Sequence, residues 1–382
     1  MTTLIRPADA VRRIEAVSRR VQQPASTADL VSLAVGEPDF DTPERIVRAA
    51  DEALRAGWTH YAPLKGEAPL RRELAARLTP LLGRDADPED IQITHGGSGG
   101  LGAAILGLVN PGDKVVLPDP TYSLYADLIA LAGGCAVHVP LQDDLHWDLE
   151  ALTLALSDAA LFVFCNPSNP TGIVHTAEEL LALGRALEGT DTLVLADEAY
   201  ADLVYTTAPF TSVLQVESLR DRSIYCQTFS KSYAMTGWRL GYLWGPSAAI
   251  AAAGRVHATF AGSPNTFVQR AGLVALTECA GEVDRMRDAY TRRQRVMFEA
   301  LSRVEGLTVQ PPEGAFYLFP RYEVDLDSVE LVAHLRRHGV AVRPGAEFGA
   351  HGEHHLRLSF AASEDAITVG VQRLAAALGA LS

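Results

Sequence analysis

From Ile91 to Trp244, short β-branched or apolar runs alternate with helix-like stretches. No other feature constrains the fold as strongly, because this rhythm belongs to a doubly wound sheet. The predicted strands are Ile91–Thr94, Val115–Leu117, Ala136–Val139, Leu161–Cys165, Leu193–Asp197, Ile224–Thr228 and Tyr242–Trp244. Helical stretches such as Leu101–Val109, Leu124–Leu131 and Ala177–Leu187 lie between them. After Gly262-Ser263-Pro264 the pattern changes to a long helical region ending near Arg303, then strand-like pieces at Ala315–Phe319, Val340–Arg343 and His355–Phe360. A chain of 382 residues exceeds what one core usually supports. The expected fold is therefore α/β: a large domain, residues 46–279, with a mostly parallel seven-stranded sheet flanked by helices. A smaller α+β domain is built from both chain ends, residues 1–45 and 280–382. The turn-rich run Gly36-Glu-Pro-Asp-Phe-Asp-Thr-Pro43 marks the exit of the N-terminal piece.

Composition removes several function classes. The net charge is −14 with no dense Lys/Arg block, so nucleic acid is not an expected partner. No stretch approaches the roughly 18 apolar residues of a membrane span, and the start, with Asp9 and Glu15 among its arginines, reads as a surface or interface helix. Cys135, Cys165, Cys226 and Cys279 are scattered, with apolar neighbours around three of them. They read as reduced, mostly buried thiols, and a cytoplasmic location is expected. His351, His354 and His355 fall in a predicted loop without a cysteine partner and are not taken as a metal site.

In open α/β sheets ligands bind beyond the carboxyl ends of the strands. Here those ends carry His95-Gly-Gly-Ser-Gly-Gly-Leu-Gly102, Asn166-Pro-Ser-Asn169-Pro-Thr-Gly172, Asp197-Glu-Ala-Tyr200 and Phe229-Ser-Lys231. A glycine-rich turn opening a helix offers backbone N–H groups and a positive helix end to a phosphate. Gly97, Gly99 and Gly102 also spell GxGxxG, with Asp119 after the next strand, which is the rival pattern of a nicotinamide-dependent dehydrogenase. Lys231 and Arg239 lie eight residues apart among small and apolar residues. An arginine there offers a planar fork to a phosphate, whereas a desolvated lysine can lose its proton and attack a carbonyl. Asp197 ends an apolar strand, where a carboxylate needs a cationic partner such as a protonated pyridine nitrogen.

Six ordered segments carry a family resemblance: Gly36-Glu-Pro-Asp-Phe40, Tyr61-Ala-Pro-Leu-Lys-Gly66, Asn169-Pro-Thr-Gly172, Asp197-Glu-Ala-Tyr200, Ser230-Lys231 through Arg239-Leu-Gly-Tyr242, and Arg357-Leu-Ser-Phe360. The chain resembles, over nearly its whole length, the pyridoxal-phosphate-dependent class I/II aminotransferases of fold type I. The resemblance implies an enzyme that moves an amino group from an amino acid to a 2-oxo acid in ping-pong order. It implies that Lys231 carries pyridoxal 5′-phosphate and acts as the base, with Asp197 behind the ring nitrogen. Asn169 and Tyr200 would bond the ring oxygen, and Tyr122 would stack on the ring. Gly97, Ser98, Thr228 and Arg239 would hold the phosphate, joined by Tyr61 from the other subunit of a homodimer. Arg357, Gly36 and Asn169 would bind the substrate.

Aspartate-preferring members of this branch carry a lysine where this chain has Ser98, so a neutral or aromatic donor is expected. Tyr61, Lys65, His95 and Tyr317 are candidate side-chain contacts. Ser168 replaces a more usual asparagine, and Asn169 keeps the bonding position. The alternative on the same fold is a carbon–sulfur β-lyase, which shares the proton-abstraction step.

Overall fold

The computed structural model describes residues 6–21 and 29–381. Its centre is a seven-stranded sheet: β1 (Ile91–His95), β2 (Lys114–Asp119), β3 (Cys135–Pro140), β4 (Leu161–Cys165), β5 (Leu193–Asp197), β6 (Ser223–Thr228) and β7 (Leu240–Trp244). The spatial order is β1-β7-β6-β5-β4-β2-β3, and only β7 runs against its neighbours. The mostly parallel seven-stranded sheet expected from the sequence is therefore present.

Every residue of β4 is buried, as required of a strand covered by helices on both faces. Two strands extend past their apolar cores into prolines. Pro140 is tolerated because β3 lies at the sheet edge. Pro118 is tolerated because the pairing of β2 with β4 stops at Val116, so its missing N–H leaves no gap in that ladder.

Helix Gly96–Leu108 packs against helix Ser247–Ala261. The approach is close: a Cβ on Gly107 would stand 3.1 Å from the backbone of Ala252 and Ala253. The expected long helical region is two helices, Thr266–Glu278 and Ala280–Leu301, separated at Cys279, whose φ of −115° and ψ of 23° leave the helical range.

The chain ends meet. Val31–Ser32 pairs in parallel with Val340–Ala341, and Ser359 donates its N–H to Leu33 O at 2.7 Å. A small antiparallel sheet has Leu356–Ser359 between Tyr317–Leu318 and Arg343–Pro344. These strands are shorter than the apolar runs that suggested them, because Val342 separates the strand Val340–Ala341 from Arg343–Pro344. Helix Ala280–Leu301 packs on helix Glu364–Gly379.

Near the start, helix Asp9–Val17 lies on the surface with no buried residue, tied down by Arg13, whose Nε donates to Ala130 O at 2.8 Å. Three cysteines are buried and Cys135 is exposed. Among the described residues no helix is long and apolar enough to cross a membrane.

Candidate active site

Parallel pairing aligns the carboxyl ends of the central strands. Cys165 lies beside Asp197 and Asp197 beside Cys226, while Thr228 meets Gly241 at the start of the antiparallel β7. Above these ends opens a cavity of ≈ 680 Å³. Gly36, Gly97, Ser98, Tyr122, Asn169, Asp197, Tyr200, Thr228, Lys231, Arg239 and Arg357 all line it, although they come from segments as far apart as Gly36 and Arg357.

Asp197 is buried at the end of β5. Its Oδ2 accepts from the Tyr125 hydroxyl at 2.8 Å and its Oδ1 from the Ala199 N–H at 3.3 Å. No basic side chain pairs with it among the described residues. Burial pushes its carboxyl up to about 6, against the opposing pull of the Tyr125 and Ala199 hydrogen bonds and the charge of Lys231.

Lys231 follows β6 in the short helix Phe229–Ser232, whose start is capped by Thr228 Oγ1 accepting from the Ser230 N–H at 3.2 Å. Its Nζ donates to Gly36 O at 2.7 Å and stands 5.6 Å from the Phe316 ring centroid and 5.8 Å from that of Tyr200. Burial first, then the charge of Arg357, pushes this amine down to about 8.

Arg357 is buried within its strand. Its Nη1 donates to Asn169 Oδ1 at 3.1 Å and its Nη2 to Ala34 O at 2.8 Å, while Nε has no partner among the described residues. The guanidinium lies 4.4 Å from the Tyr317 ring centroid and 4.9 Å from that of Phe348. The Tyr317 and Tyr200 hydroxyls are 3.0 Å apart.

The glycine-rich turn opens helix Gly96–Leu108, and no side chain caps it. Its first N–H groups are therefore available to an anion at the helix start. Arg239 reaches this corner with a positive φ of 54°, and its Nη1 donates to Thr236 O at 2.8 Å. The corner is tight: a Cβ on Gly96 would stand 2.6 Å from Arg239 Nη2, and one on Gly241 would stand 2.7 Å from the Gly96 carbonyl carbon.

Not every expected residue gathers here. Tyr61 is 99% exposed and lines a separate cleft with Thr59, His60 and residues 263–267. Lys65 reaches away to Glu89, donating to its carbonyl at 2.6 Å. His95 stacks on His257 with centroids 5.1 Å apart. Of the four candidate side-chain contacts only Tyr317 lines the cavity. Tyr125, Arg20, and the ion pair of Arg343 with Glu347 were not foreseen. Tyr125 stands in the first turn of helix Leu124–Ala132, three residues after Tyr122, and its meeting with Asp197 carries no local sequence signal.

The dinucleotide pattern loses its acid. Asp119 is buried at the end of β2 and accepts from both the backbone N–H and the imidazole of His351, at 3.3 and 3.0 Å. It does not line the cavity. His355 stacks on Phe319 at 4.8 Å, so the three loop histidines do not converge.

The family description "Aminotransferase class I and II" matches residues 28–374. An aspartate aminotransferase of Pyrococcus horikoshii is 34% identical over 357 residues, 92% of this chain and 91% of that protein. Among solved structures, a tetra mutant of the Thermus thermophilus aspartate aminotransferase superposes with a TM-score of 0.88 at 34% identity, covering 99% of this chain and 100% of that one. The aromatic aminotransferase from Pyrococcus horikoshii gives 0.89 at 32%, covering 97% and 99%. A cavity at the strand ends that gathers a half-buried lysine, a buried acid and a buried arginine, in a chain matched almost end to end, leads to one conclusion: this protein belongs to the class I and II aminotransferases.

Proposed function

We propose that the cavity binds pyridoxal 5′-phosphate on Lys231 and transfers an amino group from an amino acid to a 2-oxo acid. The observation that carries this reading is Asp197, an acid buried at the strand ends with no cationic side chain paired to it among the described residues. A protonated pyridine nitrogen supplies the missing charge. The other groups suit the same molecule. The uncapped helix start at Gly97 and Ser98, with Thr228 and Arg239, would take the phosphate. Asn169 and Tyr200 would hold the ring oxygen, and Tyr122 would cover the ring face. When bound, the cofactor supplies an electron sink for negative charge at the substrate α-carbon.

The chain's own residues then divide the work. Arg357 presents its guanidinium to the substrate carboxylate, its ring contacts with Tyr317 and Phe348 fixing the plane of the fork. Gly36 stands beside it: a Cβ there would be 3.8 Å from Arg357 Nη2. Lys231 Nζ, lowered to about 8 by burial, gives up its proton far more readily than an ordinary lysine and in its neutral form takes the α-proton of the substrate. Tyr125 holds Asp197 in place.

The same proposal includes a homodimer. The full exposure of Tyr61, away from the cavity of its own chain, supports its contribution to the phosphate corner of a second copy. It also includes a cytoplasmic location and a division into residues 46–279 and residues 1–45 with 280–382. The packing of helix Glu44–Arg55 on Thr266–Glu278, and of Ala280–Leu301 on Glu364–Gly379, supports that division; residues 1–5, 22–28 and 382 lie outside the described residues. The donor is read as neutral or aromatic, from Ser98 and from the rings of Tyr122, Tyr317 and Phe348 around the cavity.

Purified protein should be coloured, borohydride should fix the cofactor to Lys231, and the colour should bleach with the true donor in a panel of amino acids. Lys231→Ala should lower turnover by at least ~10²-fold, the lower end for removing a positioned base. A colourless protein with no cofactor fixed at Lys231 would sink the reading. Pyruvate and ammonia released from a cysteine conjugate would favour the β-lyase instead.

A further inference from the structure

Away from the cavity, three segments bring His146, His175 and Glu179 together. His146 lies in the turn after β3, His175 ends the loop after β4, and Glu179 is in the first turn of helix Ala177–Ala186. His146 Nδ1 stands 3.0 Å from Glu179 Oε2, and His175 Nδ1 stands 3.2 Å from Glu179 Oε1. The three ligating atoms all lie within 4.8 Å of one another, and they are the group of this kind found among the described residues.

We propose that His146, His175 and Glu179 form a site for a borderline divalent transition-metal ion of the zinc, cobalt or nickel class. Two imidazole nitrogens and one carboxylate oxygen are the donor set that such ions prefer. A tetrahedral ion bonded at about 2.0–2.1 Å holds its ligands about 3.3 Å apart, so small shifts of the present N···O spacings accommodate it. Each imidazole would turn its Nδ1 lone pair to the ion and carry its proton on Nε2. The fourth position is left for water.

The surroundings hold the donors in place. The Trp147 ring stacks on His175 with centroids 3.8 Å apart and an angle of 21°. Glu179 Oε2 accepts from the Thr176 N–H at 2.8 Å, which fixes the carboxylate against the helix start. Such supporting contacts orient ligands before the ion arrives. His175 is 4% exposed and Glu179 12%, while His146 at 23% leaves an entry path. Asp144 and Glu313 act electrostatically on His146 and add negative potential.

The competing account is a hydrogen-bonded cap in which both imidazoles simply donate to Glu179. That account explains the bonds equally well, but it assigns no cation affinity to the site. An occupied site would clamp the turn at His146 to the loop that carries Asn169, because the His175 N–H donates to Asn166 Oδ1 at 2.9 Å.

The test uses tag-free holoenzyme stripped of adventitious metal, dialysed against Zn²⁺ or Co²⁺ and analysed for bound metal. One ion per chain is expected, with Co²⁺ giving the visible bands of a four-coordinate nitrogen–oxygen site and Zn²⁺ raising the melting temperature. His146→Gln, at the least buried ligand, should fold and transaminate as the parent does, bind the ion at least tenfold more weakly and lose the Zn²⁺-dependent melting shift. His175→Gln provides a second reading if His146 tolerates replacement by water. No bound metal at micromolar ion, or full binding in both variants, would overturn the proposal, and neither result bears on the cavity chemistry.

Discussion

On helix Ala280–Leu301, Arg285 pairs with Glu282 at 2.7 Å and Arg287 with Asp284 at 2.6 Å, all in contact with solvent. Around the cavity, Asp197 at the end of β5 and Arg357 on strand Leu356–Ser359 are buried, Lys231 after β6 is half-buried, and none of the three has an ion-pair partner among the described residues. The paired charges on the helix are screened by water and contribute little to stability. The enclosed ones cost stability unless something else meets them. Surface charges that are paired, beside three at the cavity that are not, are what the proposed ligand reading requires of this molecule.

The difference can be broken first at Arg357. Arg357→Ala should cut kcat/KM by about 10²-fold or more, the loss of two charge-assisted bonds, with most of it in KM. Arg357→Lys should recover little, because a point charge cannot reproduce the fork. Steady-state kinetics with the preferred donor checks both.

A smaller loss is expected from Gly241→Ala, whose new methyl would meet Gly96 and the Gln227 carbonyl, at 2.7 and 2.8 Å. Both contacts are backbone, so the strand or the helix start must shift. Denaturant unfolding should show a cost of about 1–3 kcal/mol, accompanied by weaker cofactor retention.

The enclosed charges also predict opposite pH trends in cofactor-free protein. Asp197 has a folded pKa raised from 3.8 to about 6, so its contribution to stability is present below 3.8 and is lost as pH rises through about 6. Lys231 has a folded pKa lowered from 10.5 to about 8, so its contribution is present above 10.5 and is lost as pH falls through about 8. Chemical denaturation across pH should show Asp197→Asn removing the first trend and Lys231→Met the second. If both variants track the parent at every pH, the two groups are not desolvated as described.

At the far end of the scale, Arg287→Ala on the helix should change unfolding free energy by no more than about 0.5 kcal/mol and leave kinetics untouched. A larger effect would erase the distinction between the two regions.

Much of this was legible in the chain alone. The seven strands could be read because apolar runs of a buried sheet are local signals, and their ends needed only pairing to place Pro118 and Pro140. The chemical residues could be read because they sit just past those runs, where an α/β sheet always exposes its ligand side. Tyr61, in contrast, was legible as a motif residue but does not reach the cavity of its own chain.

What the amino-acid order determined was the alternation, the strand ends and the groups standing on them, since each depends on neighbours a few residues away. Tertiary structure decided which distant groups meet. It set Tyr125 on Asp197, His351 on Asp119, Asn169 on Arg357, and two histidines on Glu179. Those contacts span up to 232 residues of chain. No periodicity encodes them, because they follow from the order of strands in the sheet and from the two chain ends folding back beside it.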